Sequence, residues 1–159
     1  MRNNQGGIQR LVQHYNPCKY WKRRTLVVSK KGSRIRKLFA LFYVKRCDAF
    51  NCASTGAHIG YGAHFKTPPH LPHGLNGIVV SHNAIIGENA TIFHQVTIGE
   101  GKGGAPIIGD NCYIGAGAKI IGGIKIGNNV RIGAGCVVFK DVPDNATVVL
   151  DNIRVIVRK

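Results

Sequence analysis

The residues best suited to chemistry are histidines clustered in the middle of the chain. His73 lies in Leu71-Pro72-His73-Gly74-Leu75-Asn76-Gly77-Ile78-Val79-Val80, a loop that runs straight into a regular apolar pattern. An imidazole titrates near neutrality and can take the proton of a hydroxyl while that hydroxyl attacks a carbonyl. His94, in Thr91-Ile92-Phe93-His94-Gln95-Val96-Thr97-Ile98-Gly99, precedes a glycine-rich interruption, where it could assist His73, orient a substrate or simply occupy a surface. His70 and His82 flank the same region and are weaker candidates. Together with His64 these histidines show no His-x-x-x-His pair, and zinc requires three converging ligands, so no metal is expected. Cysteine nucleophiles are an alternative, but Cys112 and Cys136 both fall at inward positions of the pattern described next, as small core residues would.

These side chains need a rigid scaffold, and an internal repeat supplies one. Aliphatic residues recur every sixth position at Val80, Ile86, Ile92 and Ile98, then in a shifted phase at Ile108, Ile114, Ile120, Ile126, Ile132 and Val138. Four residues after each of these except Ile98 stands a second small or apolar residue: Ala84, Ala90, Val96, Cys112, Ala118, Ile124, Val130, Cys136 and Val142. Units this short leave no room for helical crossovers, so each makes one strand and one turn, and three complete a triangular coil. The fold class is all-β, a single-stranded parallel β-helix. Gly87, Gly99, Gly109, Gly115, Gly127 and Gly133 should permit conformations that a Cβ would oppose, while Asn83, Asn89, Asn111, Asn128 and Asn129 tolerate left-handed dihedrals at the turns.

Two interruptions carry the candidate chemistry. Residues 64–76, with three prolines and three histidines, are expected to loop out between Ile59-Gly60 and the regular run. Residues 100–106 break the spacing again, with ten residues from Ile98 to Ile108. Ahead of the repeat, residues 34–50 read as an amphipathic helix with Ile35, Leu38, Leu41, Phe42, Cys47 and Phe50 on one side, capping the first coil. The organisation is then a basic segment with its capping helix at 1–52, the β-helix domain at 53–149 and a tail at 150–159.

Charge and cysteines bound the partners. Of 22 Lys and Arg, 13 lie in residues 1–50, where Asp48 is the only acid. Such a segment attracts anions, but no nucleic-acid-binding signature accompanies it, so no nucleic acid is expected; a membrane-surface role for the basic helix ranks second to capping. The apolar run Leu38–Val44 is far short of the ~20 residues that span a bilayer. Five cysteines without CxxC spacing point to a reducing, cytoplasmic compartment.

The repeat, the His-x-x-x-Gly-Ile-Val-Val junction, the 91–99 segment and Ile114-Gly115-Ala116-Gly117-Ala118-Lys119-Ile120-Ile121-Gly122 together resemble the hexapeptide acyltransferases, in particular the serine acetyltransferase group and its polysaccharide O-acetyltransferase relatives. That resemblance implies a left-handed β-helix and a homotrimer with active sites between subunits. It further implies acetyl-CoA as donor, held near Gly99, Ala116 and Ala134, with Lys119 and Arg131 near its phosphates, and direct transfer with His73 as base and a backbone N–H at the oxyanion. The acceptor that the resemblance implies is a small-molecule hydroxyl, serine or a sugar. Several positions depart from the serine acetyltransferase pattern: Pro72 stands where an aspartate precedes the histidine, no acid aligns near Cys52, and the loop at 100–107 lacks a second histidine. From other classes, a carbonic-anhydrase-type β-helix metalloenzyme and a non-catalytic structural β-helix are the competing readings.

Overall fold

The computed structural model describes residues 16–30 and 32–150; the first fifteen residues of the basic segment and the tail beyond residue 150 lie outside the described residues. Two helices, α1 (Pro17–Val28) and α2 (Arg34–Thr55), precede thirteen short strands. One face of the prism carries β1 (His58–Ile59), β3 (Val79–Val80), β6 (Thr97–Gly99), β9 (Lys119–Ile121) and β12 (Val137–Val138). A second carries β2 (His64–Phe65), β4 (Ile85–Ile86), β7 (Ile107–Ile108) and β10 (Lys125–Ile126). The third carries β5 (Thr91–Ile92), β8 (Tyr113–Ile114), β11 (Arg131–Ile132) and β13 (Thr147–Val148). All these strand pairs are parallel, which is the triangular β-helix expected from the six-residue period.

The second residue of nearly every strand points inward, and Ile86, Ile92, Ile98, Ile108, Ile114, Ile120 and Ile132 are almost wholly buried in one continuous core. Burial of each such side chain stabilises the fold by about 1.5–3 kcal/mol. The second inward set is buried as well, from Ala84 to Cys136, with Val142 partly covered.

Register locates the insertions. Thr97 pairs with Lys119, 22 residues on, whereas Lys119 pairs with Val137 after 18. The four extra residues form a tight hairpin in which Gly101 and Gly104 exchange backbone hydrogen bonds of 2.9 and 3.1 Å. His58 pairs with Val79, 21 residues on, so the first coil carries only three extra. The expectation that all of 64–76 loops out is therefore corrected: His64-Phe65 is a strand in register with Ile85-Ile86, and His70 bridges to Thr91. Phe65 in an aliphatic position hid the period. Pro68 and Pro69 are accommodated because they sit at a corner between Lys66 and His70, whose N–H groups do reach the next coil, at 2.9 and 2.8 Å.

The corner residues follow two different rules. Asn89, Asn111, Asn129 and Asn145 have φ of 53, 58, 56 and 61°, and their amides form a ladder, each Nδ2 donating to the next Oδ1 at 3.2, 3.2 and 3.0 Å. Asn83 and Asn128 do not adopt left-handed φ; Asn128 instead accepts from the Asp110 N–H at 2.8 Å. The glycines after the aliphatic corners are not needed for dihedral freedom either. A Cβ on Gly109 would stand 2.7 Å from the Gly127 carbonyl oxygen of the next coil, so close approach is what excludes a side chain there.

Among the described residues the cap contains two helices rather than one. Asn16 and Ser33 cap the N-termini through side-chain bonds to the Lys19 and Arg36 N–H groups, and Gly56 ends α2 at φ 66°. The first coil has no preceding coil to pair its carbonyls, and buried Arg24 of α1 replaces it, donating to the carbonyls of Ile59 and Gly60 and to the Tyr20 hydroxyl at 3.0 Å. Trp21 packs edge-on against Phe65, ring centroids 5.0 Å apart. Helix α2 buries Ala40, Val44, Cys47 and Asn51. Of the face expected to be covered only Cys47 is buried, while Ile35, Leu38 and Phe42 are exposed, because the small-residue face allows the closer approach to α1 and the prism.

Candidate active site

The inserted residues of the first coil place His73 outside the prism at the edge between the third and first faces. One coil further along, His94 occupies the same edge. Their Nδ1 atoms lie 2.7 Å apart, so one ring N–H donates to the other ring's nitrogen. Pairing through Nδ1 leaves Nε2 of His73 free for a substrate. The His73 carbonyl accepts from Asn76 Nδ2 at 3.1 Å, which ties down the loop backbone, and Phe93 meets the His73 ring edge-on at 5.4 Å.

The edge continues as a column of small residues. Register aligns His94 with Ala116 and Ala134, and the stacking is direct: the Gly117 N–H donates to the His94 carbonyl at 3.0 Å and the Gly135 N–H to the Ala116 carbonyl at 2.8 Å. Gly77, Gln95, Gly117 and Gly135 share left-handed φ of 62, 58, 70 and 69°. Gln95 is the one side chain among them, a strained choice directly after His94. A Cβ on Gly117 would meet no atom closer than 4.0 Å, so this stretch of edge is open.

Cations border the column. Lys119 reaches back to the Gln95 carbonyl and the Thr97 hydroxyl, both at 3.3 Å, and the Arg131 guanidinium lies over the Tyr113 ring at 5.1 Å. Tyr113 in turn contacts Phe93 at 5.1 Å, so His73, Phe93, Tyr113 and Arg131 form a row running along the prism. The sequence reading missed Phe93, Tyr113 and Gln95. Alignment of Gln95 with Gly117 and Gly135 in the six-residue register was the available signal.

Other candidates fall elsewhere. Gly99 and the 100–106 hairpin stand at the edge between the first and second faces, where Glu100 accepts from Ser81 Oγ at 3.1 Å; a single chain does not bring them to the histidine pair. His82 accepts from the Gly62 N–H and packs on Tyr61, and His70 lies within a backbone bridge. Cys112 and Cys136 are buried, and burial pushes the Cys112 thiol up, away from nucleophilic use. Among the described residues no group of three or more His, Cys, Asp or Glu side chains is placed to hold a metal ion.

With this geometry in view, similarity to known proteins is informative. The family described as Bacterial transferase hexapeptide (six repeats) matches residues 105–140. The chain carries that hexapeptide repeat and is similar to serine acetyltransferases. It is 36% identical to a serine acetyltransferase of Synechococcus elongatus over 96% of its own length and 57% of the relative's, and 36% identical to one of Staphylococcus epidermidis over 90% and 62%. A solved Neisseria gonorrhoeae serine acetyltransferase, in complex with serine, superposes with a TM-score of 0.68 at 32% identity over 94% of this chain and 61% of that one. The hexapeptide-repeat chain thus spans about three fifths of the length of the curated relatives it matches.

Proposed function

We propose that this hexapeptide-repeat chain is an acetyl-CoA-dependent O-acetyltransferase in which His73 is the general base and His94 holds it in the working tautomer. The observation that carries this reading is the 2.7 Å Nδ1 pairing at the head of an open, small-residue edge flanked by Lys119 and Arg131. That edge suits an extended donor with anionic phosphates, since Ala116, Gly117, Ala134 and Gly135 leave the backbone accessible and the two cations lie beside it. When bound, acetyl-CoA supplies a thioester carbonyl that takes up the acceptor oxygen and releases the CoA thiol.

The protein's part is proton handling. With His73 Nδ1–H donating to His94, Nε2 of His73 accepts the hydroxyl proton as the oxygen attacks, and His94 stabilises the imidazolium so formed. The same Nε2–H then returns the proton to the departing sulfur. Gln95 and Phe93 are positioning residues for the two rings. We further propose a homotrimer, in which the 100–106 hairpin of one copy reaches the histidine edge of the next, and a cytoplasmic setting, which the five free cysteines favour.

Serine is the acceptor suggested by the relatives' names. A sugar hydroxyl is the second reading, favoured by Pro72 beside the base and by the exposed Tyr113 ring packed on half-buried Phe93. An acceptor screen with acetyl-CoA and thiol detection separates them. Serine-dependent release abolished by His73→Ala supports the first reading, sugar-dependent release the second, and release unaffected by His73→Ala would remove the base from both.

A further inference from the structure

Helix α2 has two apolar faces, and only one is used. Opposite the buried face of Ala40, Val44 and Cys47, the residues Ile35, Leu38, Phe39 and Phe42 recur at i, i+3, i+4 and i+7 and are 66–73% exposed. Arg34, Arg36, Lys45 and Arg46 stand exposed around this stripe. The one acid of the region, Asp48, does not offset them: it accepts from the Tyr20 hydroxyl at 2.6 Å and lies 4.0 Å from the Arg24 guanidinium, on the inner side of the cap. Two copies meeting stripe to stripe would set these cations against their own equivalents. A surface that is apolar and negatively charged complements both features at once.

We propose that the outer face of α2 attaches the protein to the surface of an anionic lipid bilayer, with Leu38, Phe39 and Phe42 entering the headgroup boundary and the surrounding Arg and Lys pairing with lipid phosphates. The helix lies in the plane of the surface rather than across it, in keeping with the absence of any described helix long and apolar enough to span a bilayer. The Gly77 N–H donates to the Thr55 carbonyl at the end of α2, so attachment through this helix sets the first coil, and with it His73, next to the membrane.

The test uses the full chain in co-sedimentation with phosphatidylcholine vesicles, with and without about one third phosphatidylglycerol. The proposal expects binding to the anionic vesicles alone, weakened by salt. The L38S/F42S variant should bind at least about tenfold more weakly, and R34Q/R36Q about fivefold more weakly per charge removed. All four side chains are exposed, so melting temperatures should not change, and Phe39→Ser provides an independent stripe variant. The proposal is overturned by a wild-type chain that stays in the supernatant, or by stripe variants that bind as wild type. It is equally overturned if the stripe variants lower the oligomer mass in analytical ultracentrifugation, which would make the stripe a contact between copies.

Discussion

If His94 acts by holding the His73 tautomer, removing it should matter only while His73 is present. The Nδ1 contact of 2.7 Å is a short bond that gains charge character when His73 takes up a proton. A hydrogen bond to a charged group contributes about 1.5–3 kcal/mol, so His94→Ala should lower kcat roughly ten- to one-hundred-fold with little change in KM for acetyl-CoA. His73→Ala removes the base and should cost about 10²- to 10⁴-fold. In the double variant the second substitution should add almost nothing, because the partner it served is gone. His94→Asn keeps an acceptor near Nδ1 and should recover part of the loss. The assay is steady-state thiol release by the four proteins of the cycle. Losses that multiply would mean that the two imidazoles act independently and would refute the relay.

Three further outcomes follow from the scaffold. Asn111→Ala should cost about 1–2 kcal/mol in chemical denaturation, since alanine at φ 58° is strained and the amide ladder is cut, whereas Asn111→Gly should cost less. Arg24→Ala removes the cation beside Asp48 and the side-chain donor to the Ile59 and Gly60 carbonyls and should destabilise the protein by about 3 kcal/mol, with the cap the first part to lose protection in hydrogen exchange. Asp110 is held below the usual carboxylate range, chiefly by the Glu88 N–H at 2.7 Å and then by Lys66. Its contribution is complete above the unfolded value of about 3.9 and is lost as pH falls through the lower folded value. Asp110→Asn should therefore melt earlier near neutral pH and lose less on acidification.

The prism was legible because its rule is local. An inward residue every six positions fixes both the turn and the core, and Ile86 through Val138 obey it without a break other than the hairpin. The first coil was harder to read, since Phe65 and Leu71 fill inward positions with atypical residues and prolines suggested a loop where the backbone merely turns a corner. Helix α1 went unread because one of its buried residues, Arg24, is charged; only the unpaired carbonyls of the first coil account for it. The face of α2 was misread because periodicity reports an apolar stripe and not which stripe packs. His73 and His94 were legible as types, but their pairing depends on a three-residue insertion that returns His73 to the edge carrying His94, which sequence spacing alone does not give.

The central claim is transfer of an acetyl group to oxygen by a base at residue 73. Its most direct measurement is mass analysis of the product formed from isotopically labelled acetyl-CoA and the accepted hydroxyl compound. The account predicts a labelled, hydroxylamine-labile ester made by the wild-type protein and almost absent with His73→Ala. A hydroxylamine-stable amide, or equal ester from both proteins, would contradict it.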